Sequence, residues 1–131
     1  MVASDAMPLL SYDRKVVPNG AGTSARILGQ YVRDEGLLSL SDAIARLSLY
    51  PAQRMEAIAP AFARKGRVSI GADADIVVFD PGTVAAMASY AAPFNPPTGI
   101  HSVWVAGALA VQGGELVDGV GSGKKLTGVT P

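Results

Sequence analysis

The chain has 131 residues, 49% of them hydrophobic, and its 11 Lys+Arg balance 11 Asp+Glu to a formal net charge of zero. That balance excludes a nucleic-acid partner held by charge, because phosphate affinity draws on a surplus of Lys and Arg. Zero cysteines exclude disulfides and thiolate chemistry, and the single histidine, His101, cannot by itself furnish a His-rich zinc site, which takes roughly three or four protein ligands.

The length is that of one ordinary domain. No apolar run approaches the ~20 residues of a membrane span. The N-terminus Met1-Val2-Ala3-Ser4-Asp5 lacks the basic and apolar regions of a signal peptide, so the expectation is a cytoplasmic protein with no membrane partner.

In chain order, Met1 to Ala3 reads as the end of a buried strand, closed by Ser4-Asp5 and by Pro8. Ser11 to Gly22 mixes Asp13, Arg14 and Lys15 with Pro18-Asn19-Gly20 and reads as a long loop. Thr23 is the expected N-cap of a helix over Ser24 to Glu35, with Leu28, Tyr31 and Val32 at helical spacing and Gly36 as its C′ residue. Ser39 caps a second helix whose apolar stripe is Leu40, Ala43, Ile44 and Leu47. Pro51 suits the first turn of a short third helix running to Met55.

Residues 58–66 read as a basic, irregular connection. Beyond Gly66 the pattern turns to strands: Arg67 to Ile70, then Asp75 to Phe79 as a strand buried on both faces and stopped by Asp80-Pro81-Gly82. Ser102 to Val105 and Leu109 to Gln112 flank Ala106-Gly107-Ala108 as a hairpin, and Gly113-Gly114 turns the chain into Glu115-Leu116-Val117. The Gly-rich tail from Gly119 is expected to fray.

Three stretches together resemble one family. Ala3-Ser4-Asp5-Ala6-Met7-Pro8 resembles the end of the last barrel strand of amidohydrolase-superfamily enzymes in the D-aminoacylase and N-acyl-D-amino-acid deacylase branch. Gly20-Ala21-Gly22-Thr23, Arg26 to Arg33, Leu38-Ser39-Leu40 and Pro51 to Arg54 resemble the helical run that follows it. Gly66-Arg67-Val68, Gly71 to Asp80 and the hairpin from Val103 to Val117 resemble strands of the small β-sandwich.

The resemblance implies a mixed α/β fragment: the last strand and helices of a TIM-type (β/α)8 barrel, plus C-terminal strands of the amidohydrolase β-sandwich. The matching division is barrel end over 1–57, sandwich portion over 58–118 and flexible tail over 119–131. It further implies a metal-dependent hydrolase of linear amide C–N bonds, acting on a small-molecule N-acyl-D-amino acid with zinc as cofactor. Asp5 is then the carboxylate that contacts the metal, takes a proton from water and returns it to the leaving nitrogen. Gly22 and Thr23 are the expected substrate-binding residues, since barrel sites are built from such loops.

Some features of the family have no counterpart. A barrel takes ~250 residues, and the family's His-x-His pair and later histidines are absent, so activity is expected to need the missing N-terminal barrel portion in cis or in trans. The resemblance implies a histidine near Val17-Pro18 in many members of the family, where this chain has Val17. The alternative is a non-catalytic structural or assembly module that docks onto a barrel-bearing partner.

Other polar residues have simpler readings. Asp73 and Asp75 flank a tight turn and read as turn-stabilising side chains. Gly20, Gly22 and Gly29 form no phosphate loop, because no strand precedes them directly and no Gly-Lys-Ser/Thr follows. His101 reads as a surface or packing residue, Trp104 as a sheet-face residue and Arg64 to Arg67 as a solvated basic connection.

Overall fold

The computed structural model describes residues 1–6 and 16–127. Met7-Pro8 of the family motif, Asp13, Arg14 and Lys15 of the expected loop and the last four residues of the expected tail, 128–131, lie outside the described residues. The elements are helix α1 (Asn19–Arg26) with a π-helical continuation (Ile27–Asp34), α2 (Leu40–Leu47), α3 (Leu49–Glu56), a 3-10 turn (Pro60–Arg64), and strands β1 (Ile76–Phe79), β2 (Ile100–Val105), β3 (Ala108–Gln112) and β4 (Glu115–Leu116). The class is mixed α/β, and the strands form one sheet in the order β1-β2-β3-β4. No helix among the described residues is long and apolar enough to cross a membrane.

The chain divides into two compact units, one comprising Ala3–Ala43 and Phe79–Ile100, the other Met1–Val2, Ile44–Val78 and His101–Pro131. In the first, α1 begins earlier than its glycines suggest. The Pro18 carbonyl accepts from the Gly22 N–H at 3.0 Å, and Thr23, expected as the N-cap, lies inside the helix with its hydroxyl donating to the Asn19 carbonyl at 2.8 Å. The cause is packing. Gly22 is buried, and a Cβ there would lie 3.5 Å from the Ala88 Cβ and 3.7 Å from that of Ala86. Burial of this face outweighs the roughly 1 kcal/mol by which each glycine disfavours a helix.

About two turns on, Gly29 lets the helix pass directly over Val84, whose carbonyl a side chain at 29 would strike. The Arg33 guanidinium donates to that same carbonyl at 2.6 Å. Here the helix widens: the Glu35 N–H bonds the Gln30 carbonyl at 2.9 Å, five residues back, and Leu37 bonds Tyr31 at 2.8 Å. Gly36 ends it at φ +61°, as its sequence position predicts. Ala25, Ile27, Leu28, Ala43, Val84 and Ala88 are the buried apolar side chains of this unit. Ser39 caps α2 as expected, accepting from the Asp42 N–H at 3.1 Å. The expected stop after β1 also forms, because the Asp80 carboxylate takes the Gly82 N–H at 2.8 Å and the Thr83 hydroxyl at 2.9 Å.

In the second unit α3 starts at Leu49, with Pro51 in its first turn, where the missing N–H breaks no bond. Gly66, at φ +68°, passes so near the Ser48 carbonyl that a Cβ would lie 2.5 Å from its oxygen. The connection over 58–66, expected to be irregular, contains the 3-10 turn Pro60–Arg64.

Arg67 to Ile70 does not form the expected strand. These residues pair with no neighbouring strand, and Val68 and Ile70 stand 89% and 108% exposed. The basic run is not simply solvated either. Lys65 bridges Asp73 at 3.0 Å and Asp75 at 2.5 Å, Arg64 reaches Asp73 at 3.1 Å, and Arg67 pairs with Glu56. The pairs of Arg64 and Lys65 with Asp73 and Asp75 close the turn between Arg64 and Asp75, a structural role for the two aspartates.

Strand β1 forms, but not with both faces buried: Ile76, Val77 and Val78 are 37%, 53% and 45% exposed, on the outermost strand of the sheet. The β2–β3 hairpin turns at Ala106-Gly107, with φ of +50° and +83°, the signature of the tight turns that match strand twist. Its register shifts between Val103 and Trp104, leaving Ala110 as the extra residue, and the Ala110 carbonyl accepts from the Val117 N–H at 2.9 Å. Trp104 is half-buried and His101 exposed, as expected. Met1 to Ser4 joins no ladder, although the Val2 N–H donates to the Arg46 carbonyl at 3.0 Å.

Candidate functional site

Once the helix starts at Asn19, the positions Asn19, Gly22, Thr23 and Arg26 fall at i, i+3, i+4 and i+7 and share one face. That face is one wall of a pocket of about 640 Å³. Tyr31 extends the wall along the π-helical turns, and Ala88, Ser89 and Tyr90 form the opposite side. Gly22 and Thr23, the two expected substrate-binding residues, are thus brought together on the lining. The volume lies within the roughly 300–1,000 Å³ typical of small-molecule pockets.

The polar groups differ in what they offer. Thr23 spends its hydroxyl proton on the Asn19 carbonyl and faces the pocket with lone pairs only. Ser89 accepts from the Ala92 N–H at 3.1 Å, so its hydroxyl proton remains available. Arg26 is the charged residue of the lining. Tyr90, 82% exposed, and Tyr31 supply aromatic surface.

Asp5 is exposed and adopts φ +53°, a left-handed conformation that aspartate tolerates better than most residues. Its carboxylate is not part of the pocket lining. The connection is through the main chain. The Asn19 amide donates to the Ser4 carbonyl at 2.8 Å and to that of Asp5 at 3.0 Å, so one pocket residue fixes the backbone that carries the carboxylate.

Among the described residues no three His, Cys, Asp or Glu side chains gather to hold a metal ion. Asp5 alone does not make a metal centre, so these residues do not fit zinc without further ligands. Sequence reasoning missed Asn19, read as a turn residue, and Ser89 and Tyr90, which lie in a stretch without periodicity. The signal for Asn19 and Arg26 was the helical spacing, hidden by placing the helix start at Ser24.

No protein-family model matches the chain. Among individual proteins it is 40% identical over 112 residues to a D-aminoacylase of Alcaligenes xylosoxydans xylosoxydans, which covers 86% of this chain and 22% of the enzyme. A D-aminoacylase structure, described for its binuclear metal centre with one-metal activation and second-metal attenuation, superposes with a TM-score of 0.78 at 36% identity, over 86% of this chain and 23% of that one. The N-acyl-D-glutamate deacylase of Bordetella bronchiseptica, solved with zinc and a phosphonate mimic of the tetrahedral intermediate, matches with a TM-score of 0.67 at 40% identity, over 73% of this chain and 19% of that one. The chain therefore spans about one fifth of the length of the relatives it matches.

Proposed function

We propose that the chain, a homologue of one segment of D-aminoacylases and N-acyl-D-amino-acid deacylases, contributes part of the active site of an amidohydrolase cleaving the linear amide of an N-acyl-D-amino acid. In this reading residues 1–57 are the end of a (β/α)8 barrel, 58–118 a portion of the β-sandwich and 119–131 a tail. The remaining barrel, in cis or in trans, supplies the zinc ligands that the described residues lack.

Asp5 is the proton carrier of the proposal. Its carboxylate takes a proton from the attacking water and returns it to the nitrogen as the C–N bond breaks, a task that needs one group able to switch between base and acid. Gly22 and Thr23 line the substrate side. The observation that carries the reading is the Asn19 amide, which belongs to the pocket wall and holds the Asp5 main chain at 3.0 Å. The exposed apolar side chains of Val68, Ile70 and Val77 support an assembly with further polypeptide.

The test is a chimera joining this chain to the first four fifths of the Alcaligenes D-aminoacylase. It should bind zinc and hydrolyse an N-acyl-D-amino acid, and Asp5→Asn should lower kcat by about 10²–10⁴ while leaving the fold intact. A folded, zinc-loaded and inactive chimera would overturn the catalytic reading. That outcome favours the second one, a non-catalytic module that docks onto a barrel-bearing partner.

A further inference from the structure

We propose that Asn19-Gly20 is a site of spontaneous deamidation by water, and that conversion of Asn19 to aspartate or isoaspartate releases the Ser4–Asp5 segment from α1. Neither step depends on the catalytic role proposed for Asp5.

The chain has two asparagines, Asn19 and Asn95. Asn95 is followed by Pro96, whose nitrogen carries no proton, so that nitrogen cannot attack the side chain before it. Asn19 is followed by Gly20, which is exposed and has no Cβ to keep its main-chain nitrogen away from the Asn19 side-chain carbon. Gly20 also lies in the first turn of α1, where N–H groups lack an intrahelical acceptor. The fold does not demand glycine at this position. A Cβ at 20 would lie 3.6 Å from the Ala6 Cβ, an ordinary contact.

The reaction needs only base and water. Gly20 N gives up its proton and attacks Asn19 Cγ, the N–Cγ bond forms, the Cγ–Nδ2 bond breaks, and ammonia leaves with the proton. Water then adds to one carbonyl of the five-membered imide and opens it to aspartate or isoaspartate, with no change of oxidation state. Ring closure requires the Asn19 main chain to leave its helical angle, a rotation confined to the terminal turn, where helices fray. The same amide must also let go of the Ser4 and Asp5 carbonyls, so the tie retards the conversion and is destroyed by it.

The product cannot rebuild the tie. The amide donates to the Ser4 carbonyl at 2.8 Å and to the Asp5 carbonyl at 3.0 Å. An ionised carboxylate only accepts, so in its place two donor contacts become repulsions between oxygens. Helix α1 itself tolerates the change, because a negative charge at a helix N-terminus is favourable. The modification therefore acts on the Ser4–Asp5 segment and spares the helix.

The experiment incubates the 131-residue chain at pH 7 and pH 9 and follows it by peptide mapping with mass spectrometry and by amide hydrogen exchange. The peptide carrying Asn19 should gain the mass of an amide-to-acid exchange, faster at pH 9, with isoaspartate among the products, while the peptide carrying Asn95 does not change. Gly20→Ala should suppress most of that gain without lowering the melting midpoint. Exchange at Asp5 and Ala6 should accelerate in step with the conversion, exchange in β2 and β3 should stay constant, and Asn19→Asp should reproduce the faster exchange from the start.

Three outcomes would overturn the proposal. One is an Asn19 that stays intact in the folded chain for as long as the urea-unfolded chain takes to convert fully. Another is equal conversion in Gly20→Ala. The third is complete conversion, or the Asn19→Asp variant, with exchange at Asp5 as slow as in the parent.

Discussion

The side-chain amide of Asn19 donates to the main-chain carbonyl of Asp5 at 3.0 Å and, with its second proton, to that of Ser4 at 2.8 Å. One residue at the start of α1 thereby ties down a segment that joins no strand. Without this tie the left-handed turn at Asp5 would have little to hold it, since non-glycine residues adopt that conformation at a cost of roughly 1–2 kcal/mol.

Asn19→Ala should therefore loosen the Ser4–Asp5 segment. At about 0.5–1.5 kcal/mol net per hydrogen bond, the expected loss is about 1–3 kcal/mol. Amide hydrogen exchange at Asp5 and Ala6 should accelerate in the variant, while exchange in β2 and β3 stays as in the parent. Unchanged exchange at Asp5 would show that the tie does not hold the segment.

Gly29 tests the helix crossing. A Cβ at this position meets the Val84 carbonyl, so Gly29→Ala should destabilise by about 1–3 kcal/mol, the range for overpacking. Gly20→Ala is the control, because its Cβ would lie 3.6 Å from the Ala6 Cβ, an ordinary contact. Denaturant melts should move the first midpoint down and leave the second unchanged or slightly raised.

Acidification should unlock the turn between Arg64 and Asp75. The Lys65 ammonium, hydrogen-bonded to both carboxylates, holds Asp73 and Asp75 below the ordinary carboxylate value of 3.8. A depressed folded pKa means that the stabilisation is complete above the unfolded value and is lost as pH falls through the folded one. Lys65 itself is raised above 10.5 by the same bonds, chiefly that to Asp75, so its contribution is full below 10.5 and fades at higher pH. Thermal melts between pH 2 and 6 should show the midpoint falling below about pH 4 in the parent. Lys65→Met should flatten that dependence, and an equally steep profile in the variant would count against the bridge.

The exposed apolar residues of the second unit should govern association. Val68 and Ile70 make little use of burial, at 89% and 108% exposure, so Val68→Lys and Ile70→Lys should leave the melting midpoint within about 0.5 kcal/mol of the parent. Light scattering at rising concentration should show less self-association in the double variant. The same charges should weaken assembly with a barrel-bearing polypeptide if that surface is where it packs.

The sequence by itself determined the elements whose signals are local. Gly36, Ser39 and Asp80 ended or began their segments where expected, because a positive φ or a side-chain cap is decided within four residues. The Ala106-Gly107 hairpin was legible for the same reason. The resemblance carried by the stretches from Ala3 to Val117 was legible too, and the homology to D-aminoacylase bears it out.

Tertiary structure decided the rest. The glycines at 20 and 22 signalled a loop, yet packing of Gly22 against Ala86 and Ala88 turned them into helix and put Asn19 and Arg26 on the pocket face. Strand formation over 67–70 failed because a strand requires a neighbour that local propensity cannot supply. The Asn19–Asp5 bond and the approach of Ser89 and Tyr90 to α1 join residues distant in the chain, and no spacing rule encodes such contacts.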